Sequence, residues 1–512
     1  MEGRYRVTAG EWDKAEGCFR ALWGYFPDNL DYGIQLAGVQ SKGGKGKEAL
    51  ATVAEMRKLA APASKDPRVD LAEAEAAQSL ADWKHMLAAS ESAGKASEAV
   101  GARGLLAEAK LFQARAWRKL GEPQKAMSAA EGARKIFDAL GDREGVAHAQ
   151  SVFLFILYSK GDLNGARASG EKLLATYREI GNQRGTAMIL NSLANVAYDQ
   201  GDLKSAAADY TECLKVFRDI DDKSSAARVS SNLGNVMLLQ GDVAGARRRH
   251  EEALALSREI GDQSASAYTL CALGEIEVDE ADLAGARDRY EESLALFRKT
   301  SEKSGAAYAL FGLGEVHLAG VRFDEARKAY EEALSLRDQL GEKGTAAQSR
   351  LALANLQFEQ GQTAPSELAA REALKAFEEE KDDANTALAW DLIARILLVR
   401  GKGAEAKKAA ARAVELARTG QDKGLSLTVG ITAARARAAA GDPTGARKDF
   451  AALFLEAGGV GRQDLLLKVR LHQGELELAS GKAAAGEANL AVLEKDASAR
   501  GFFLIARKAA KR

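Results

Sequence analysis

Gly201-Asp202 stands between two apolar-periodic stretches, 184–200 and 202–220, and the same hinge returns along most of the chain. Gly121-Glu122, Gly161-Asp162, Gly241-Asp242, Ala281-Asp282, Gly361, Gly401, Gly441-Asp442 and Gly481 lie 40 residues or a multiple of 40 away. A period this strict marks a repeat protein and overrides an estimate of domain number from length. At the interior hinges the glycine suits the left-handed conformation that ends one helix, and the aspartate after it can accept backbone N–H bonds at the start of the next. So tight a turn forces the two helices antiparallel.

A globular chain of 512 residues would ordinarily divide into several domains, but stacked repeats touch only their neighbours and extend one core. The composition, 46% apolar with 6% aromatic residues and 6 prolines, favours an alanine-rich helical stack over a disordered or all-β chain. With 72 basic and 73 acidic residues the net charge is -1, so no global field draws in nucleic acid or an anionic membrane. Cys18, Cys213 and Cys271 lie far apart without C-x-x-C spacing and read as small buried residues in a reducing compartment. The opening Met1-Glu2-Gly3-Arg4-Tyr5-Arg6 leads into no apolar signal region, and no apolar run is long enough to span a bilayer, so a cytoplasmic protein is expected.

In chain order, Gly10-Glu11-Trp12 opens a helix carrying Ala15, Phe19 and Leu22, which stops at Pro27. The glycine-rich 42–47 segment reads as a solvated turn, because Ser41 stands where a phosphate loop needs its first glycine, Glu48 follows Lys47 and no strand precedes it. Pro62 and Pro67 bracket the longest break, with Asp66 as N-cap and Pro67 at the first helical position. The expected organisation is irregular N-terminal repeats at 1–61, a main array at 66–360 with the 40-residue period from about 100, divergent repeats at 361–498, and a capping helix at 499–512, apolar inward and basic outward.

Ala15, Phe19 and Pro27 resemble the A-x3-F and P positions in the second helix of a tetratricopeptide repeat. Leu270, Leu273, Gly274, Ala286, Tyr290 and Ser293 lie on the signature positions of one such repeat, and Leu310, Leu313, Gly314, Ala326, Tyr330 and Ala333 on those of the next. The signature tryptophan is absent, and Met237, Glu277 and His317 replace the first-helix tyrosine. The 40-residue unit is similar to the longer tetratricopeptide repeats of kinesin light chains, Gly-Asp-rich mitotic adaptor scaffolds and bacterial regulatory proteins. The resemblance implies an all-α, right-handed α-solenoid (superhelix) of about twelve antiparallel helix pairs plus an N-terminal half repeat, whose first helix would lie before Met1 unless a shortened cap replaces it. It also extends, in part, to the tails of bacterial eukaryotic-type Ser/Thr kinases and winged-helix regulators.

No catalytic constellation is present, and no cofactor or metal is expected. His85, His148, His250, His317 and His472 show no metal-binding spacing, and kinase signatures and a G-x-S-x-G elbow are absent. Glu251, Glu291 and Glu331 sit one turn from Arg247, Arg287 and Arg327, as solvated i, i+4 pairs. Recognition must then come from surface shape. In the family the first helix of each pair lines a concave groove, and carrying that register across gives an inward row of Arg115, Phe155, Asn195, Asn235, Glu275, Glu315, Asn355, Arg395 and Arg435. One turn on lie Tyr158, Tyr198, Leu238, Val278, Leu318, Phe358 and Leu398. Amides and charges beside an apolar row suit an extended peptide, with Asn195 and Asn235 matching groove asparagines of the family. A carboxylate clamp is rejected, because Asn191, Ser231, Cys271 and Phe311 stand where it needs lysines. Charge changes along the row, acidic at Glu275, Asp279 and Glu315 and basic at Arg395 and Arg435, which would orient a ligand. The expected function is a non-catalytic scaffold for a protein or peptide, with no nucleic acid, membrane or small-molecule substrate. The alternative is the regulatory tail of a larger signalling protein.

Overall fold

The computed structural model describes residues 2–8, 12–418, 420 and 422–511, all of them helix, turn or connecting segment. Gly10-Glu11 lies outside the described residues; the helix expected there runs Trp12–Tyr25, and a short helix, Glu2–Thr8, packs on it. Among the described residues the helices from Leu30–Lys42 to Ala483–Ala499 make up the twelve expected pairs, followed by a last helix, Phe503–Ala510. The break at Pro62 holds a single 3-10 turn, Ala63–Lys65; Asp66 then caps Pro67–Ser79 by accepting from the Arg68 N–H at 2.9 Å.

The period of the backbone is half that of the sequence. A left-handed residue closes a helix every 20 residues from Ala81 to Gly401 and again from Gly441 to Gly501, so hinges within pairs and between pairs share one geometry. Most helices are 17 residues long, for example Gln183–Asp199, Leu203–Asp219 and Val243–Glu259. The cap recurs at both kinds of hinge. Asp202 Oδ1 accepts from the Ser205 N–H at 3.1 Å and Asp242 Oδ1 from Gly245 at 2.8 Å within pairs, while Asn182 Oδ1 accepts from Gly185 at 2.7 Å and Asp262 Oδ1 from Ala265 at 2.9 Å between them.

The signature residues form the core between helices. Leu270, Leu273, Ala286, Tyr290, Leu310, Leu313, Ala326 and Tyr330 are buried, and Gly274 and Gly314 lie directly beneath the Tyr290 and Tyr330 rings. Small residues are needed there because helices in contact run only about 8–10 Å apart. The paired acids play a second part beyond the expected i, i+4 contacts. Arg247 and Arg287 reach Glu251 and Glu291 at 3.7 Å, but the neighbouring acids bridge successive repeats: Arg258 meets Glu292 at 2.5 Å and Arg298 meets Glu332 at 2.9 Å.

By its contacts the chain divides into two compact units, Met1–Asp222 and Lys223–Arg512. The second curls until its last helices meet its first ones. Arg462 Nε stands 3.1 Å from Asp279 Oδ1, and the Gly461 hinge packs on Val243. Leu310, Leu313, Leu467, Leu471, Leu493 and Ile505 share one buried cluster. The last helix differs from the expected cap: Arg507 is exposed, but Lys508 turns inward to Glu359 Oε2 at 2.7 Å. The apolar residues on both sides of Lys508, Ile505 and Ala509, seat the helix against the array, and that places the intervening face toward the interior.

Candidate functional site

In the 1–222 unit the predicted groove residues fall on Arg143–Ser159 and Gln183–Asp199. Phe155 is half-buried, with the Arg118 guanidinium 5.2 Å above its ring. The Tyr158 hydroxyl donates to Asp199 Oδ2 at 2.5 Å, and burial together with that carboxylate pushes the phenol up to about 12. Asn195 Oδ1 accepts from the Tyr210 hydroxyl, which leaves its NH2 group as the donor for anything bound, and Tyr198 beside it is exposed.

In the 223–512 unit the first helices Lys223–Leu239, Gln263–Asp279 and Lys303–Ala319 enclose an open groove of about 660 Å³. Ser231, Asn235, Tyr268, Thr269 and Tyr308 line it. Asn235 is exposed, as a groove donor must be, whereas Leu238 packs with Val243, Ala246 and Ile276. Tyr268 and Tyr308 are the residues the sequence reading missed. They lie seven residues, two helical turns, before Glu275 and Glu315, so the same register extended toward the N-terminus of each helix would have found them. Tyr268 meets Phe297 edge-on with ring centroids 4.7 Å apart, and the Tyr308 hydroxyl donates to Glu275 Oε1. Arg337, over the Phe311 ring at 5.0 Å, anchors the far wall through its Nη1, which donates to the Thr345 carbonyl at 2.8 Å.

The remaining predicted residues lie along a second space. Glu315, Asn355 and Arg395 line a separate chamber of about 220 Å³, with Asp391, Arg435, Lys468 and Lys508. Phe358 lies in the adjoining core, and the Arg395 guanidinium stacks on its ring at 4.9 Å. Glu315 accepts from the Tyr330 hydroxyl, and desolvation by the surrounding helices raises its carboxyl. Glu359 is more deeply buried, its side chain only 5% exposed, but Arg395 at 2.7 Å and Lys508 at 2.7 Å outweigh burial and hold it below the usual carboxylate range. The acidic and basic stretches are therefore not the two ends of a gradient: curling brings Glu315 and Asp391 into one space with Arg395 and Lys468. Among the described residues no group of three or more His, Cys, Asp or Glu side chains is arranged to hold a metal, and no helix is long and apolar enough to cross a membrane.

Helix pairs on a 40-residue period, a buried glycine under a tyrosine in successive repeats, and grooves lined mostly by the first helices define a tetratricopeptide-type α-solenoid. The MalT-like TPR region profile matches residues 219–491, more than half of the chain, and a tetratricopeptide repeat profile matches 186–220. The chain belongs to the MalT-like TPR region family. No curated protein matches the sequence. Similar solved structures include the apo form of RapI, with 15% identity, TM-score 0.48 and coverage of 53% of this chain and 98% of that one. A Rap protein complexed with competence and sporulation factor shows 14% identity, TM-score 0.46 and coverage of 67% and 97%. BtubC (BKLC) from P. vanneervenii shows 18% identity, TM-score 0.38 and coverage of 46% and 92%.

Proposed function

We propose that this chain is a non-catalytic, cytoplasmic recognition scaffold that holds an extended protein or peptide segment on the concave faces of its repeats. The observation that carries this reading is the open groove of the 223–512 unit, where the hydroxyl of Ser231 and the amide of Asn235 share the lining with Tyr268 and Tyr308. Extended chain advances about 3.3 Å per residue, so roughly three residues span the step of about 8–10 Å between touching helices. Side-chain donors on that step bond the ligand backbone and the tyrosine faces take its side chains. In the 1–222 unit Phe155, Tyr158, Asn195 and Tyr198 offer the same combination.

Selection of a displayed random-peptide library on the full chain tests the reading. The expected result is enriched peptides whose affinity falls at least tenfold with Asn195→Ala and Asn235→Ala together, and again with Tyr268→Ala, at unchanged helicity. Peptides bound equally by all variants would overturn the assignment. A second reading, that the array regulates a larger signalling protein, draws on the family's description as a region; an open reading frame continuing upstream of Met1 into a kinase or DNA-binding domain would support it.

A further inference from the structure

The chamber of the 223–512 unit carries both signs of charge, and most of its charged groups are matched. Glu359 holds Arg395 and Lys508, Lys468 reaches Asp464 Oδ2 at 3.5 Å, and Glu315 takes the Tyr330 hydroxyl. One group is not matched and a second only in part. Arg435 lines the chamber with no carboxylate in ion-pair contact and no hydrogen bond to any described residue, and desolvation lowers its pKa. Asp391, only 5% exposed, is hydrogen-bonded by Thr432 and has Arg395 Nη1 4.0 Å from its Oδ2, at the outer limit of an ion pair, but its Oδ1 has no hydrogen-bond partner. Asn355 Oδ1 in the same wall also has no partner.

A guanidinium and a carboxylate that line one partly buried space without meeting each other each keep part of a desolvation penalty, and a direct pair would have relieved both. Water would solvate the two groups but neutralise neither. A molecule carrying the complementary charges neutralises both and adds no net charge. Leu318, Ile431 and Leu471 give the wall an apolar part, beside the hydroxyls of Thr428 and Thr432. The volume of about 220 Å³ lies below the range of about 300–1,000 Å³ typical of drug-sized ligands.

We propose that this chamber binds a small zwitterion, an α-amino acid with an aliphatic side chain, its carboxylate on Arg435, its ammonium on Asp391 and Asn355, and its side chain on Leu318, Ile431 and Leu471. A planar guanidinium presents two parallel donors to a carboxylate, and the three N–H donors of an ammonium suit the oxygens opposite, which accept. The helix Phe503–Ala510 closes the chamber through Leu504, Ile505 and Lys508. This site is independent of the open groove and of the peptide reading.

Calorimetric titration of the full chain with L-valine, L-leucine, L-isoleucine and L-methionine tests the assignment, with 4-methylpentanoate and isopentylamine as leucine analogues lacking one charge each. The expected result is saturable one-to-one binding of at least one of the four. For leucine, both analogues bind at least tenfold more weakly. Arg435→Met and Asp391→Asn each weaken the amino acid at least tenfold, while Asn235→Ala leaves it unchanged. Because Arg435 has no partner to lose, Arg435→Met is expected to keep or raise the melting temperature, so loss of binding in that variant reports the contact and not misfolding. Absence of binding for all four amino acids, equal binding of 4-methylpentanoate and leucine, or binding that survives both substitutions would overturn the proposal.

Discussion

His250 occupies the position that Tyr210, Tyr290 and Tyr330 hold in other repeats. Tyr210 and Tyr330 donate their hydroxyls to Asn195 and Glu315, 15 residues before them, and the corresponding residue for position 250 is Asn235. His250 is fully buried, its Nε2 has no partner, and desolvation pushes its pKa down to about 4. Below the ordinary histidine value the unfolded chain takes up a proton that the folded chain refuses, so its contribution to stability is lost as pH falls from about 6.5 toward about 4. His250→Tyr is expected to remove that loss, roughly 2 kcal/mol between pH 8 and pH 5, seen as hydrogen-exchange protection of Val243–Glu259. An equal effect at both pH values would refute it. Nearby, a Cβ on Gly314 would stand 2.4 Å from Tyr330 Cε1, whereas one on Gly274 would meet Tyr290 at 3.0 Å. Gly314→Ala is therefore expected to destabilise by about 1–3 kcal/mol and Gly274→Ala by less; the reverse order in thermal unfolding would mean that this register does not set the packing.

At the scale of the element, the hinge tolerates more than glycine. Ala81, Asp221, Ala281, Ser301, Val321 and Lys381 all take the left-handed conformation, although it costs non-glycine residues roughly 1–2 kcal/mol. Val321 is the least suited, being β-branched, with φ of 60°. Val321→Gly is expected to stabilise the Lys303–Ala319 and Phe323–Leu340 pair by about 1 kcal/mol, strain relief exceeding the extra entropy of glycine in the unfolded chain, and the same change at Lys381 by less. A drop in melting temperature for Val321→Gly would show that its side-chain contacts outweigh the strain. These substituted hinges also explain what was legible in the sequence. Where glycine and aspartate coincide, as at Gly201-Asp202, the turn announces itself, and the pairs could be bounded to within a few residues. Where serine, valine or lysine takes the left-handed place, as at Ser301, Val321 and Lys381, the turn has no chemical signature, whereas Gly141, Gly181, Gly261 and Gly341 carry the 20-residue beat openly in the sequence. The groove residues followed the same rule: a register anchored on Gly274 and Gly314 located Asn235, but Tyr268 and Tyr308 lay two turns beyond the positions it was applied to.

Closure of the 223–512 unit is a property of the whole array, the sum of small rotations at each repeat, and no local stretch encodes it. That is why Glu275, Glu315 and Arg395 read as one open row, although Glu315 and Arg395 line a separate chamber with residues of the last helices. Asp279 makes the consequence measurable. It joins Arg462 across the closing contact, and Asp464 shares the same guanidinium at 3.0 Å. Desolvation dominates its titration; Arg462 opposes the rise, Asp464 and Glu275 add to it, and the carboxyl is pushed up to about 7. Between the ordinary aspartate value and about 7 the folded chain therefore holds a proton that the unfolded chain has released, so this residue's contribution to stability falls as pH rises through that window and levels off above it. Asp279→Asn fixes the side chain in its uncharged form. The variant is expected to match the parent near pH 5 and to exceed it at pH 8 in hydrogen-exchange protection of both Gln263–Asp279 and Gln463–Ala479, the two helices that meet at the closure. Protection that changes in only one of those helices would separate Asp279 from closure, and a variant less protected than the parent at pH 8 would mean that attraction to Arg462 outweighs the desolvation of the carboxylate.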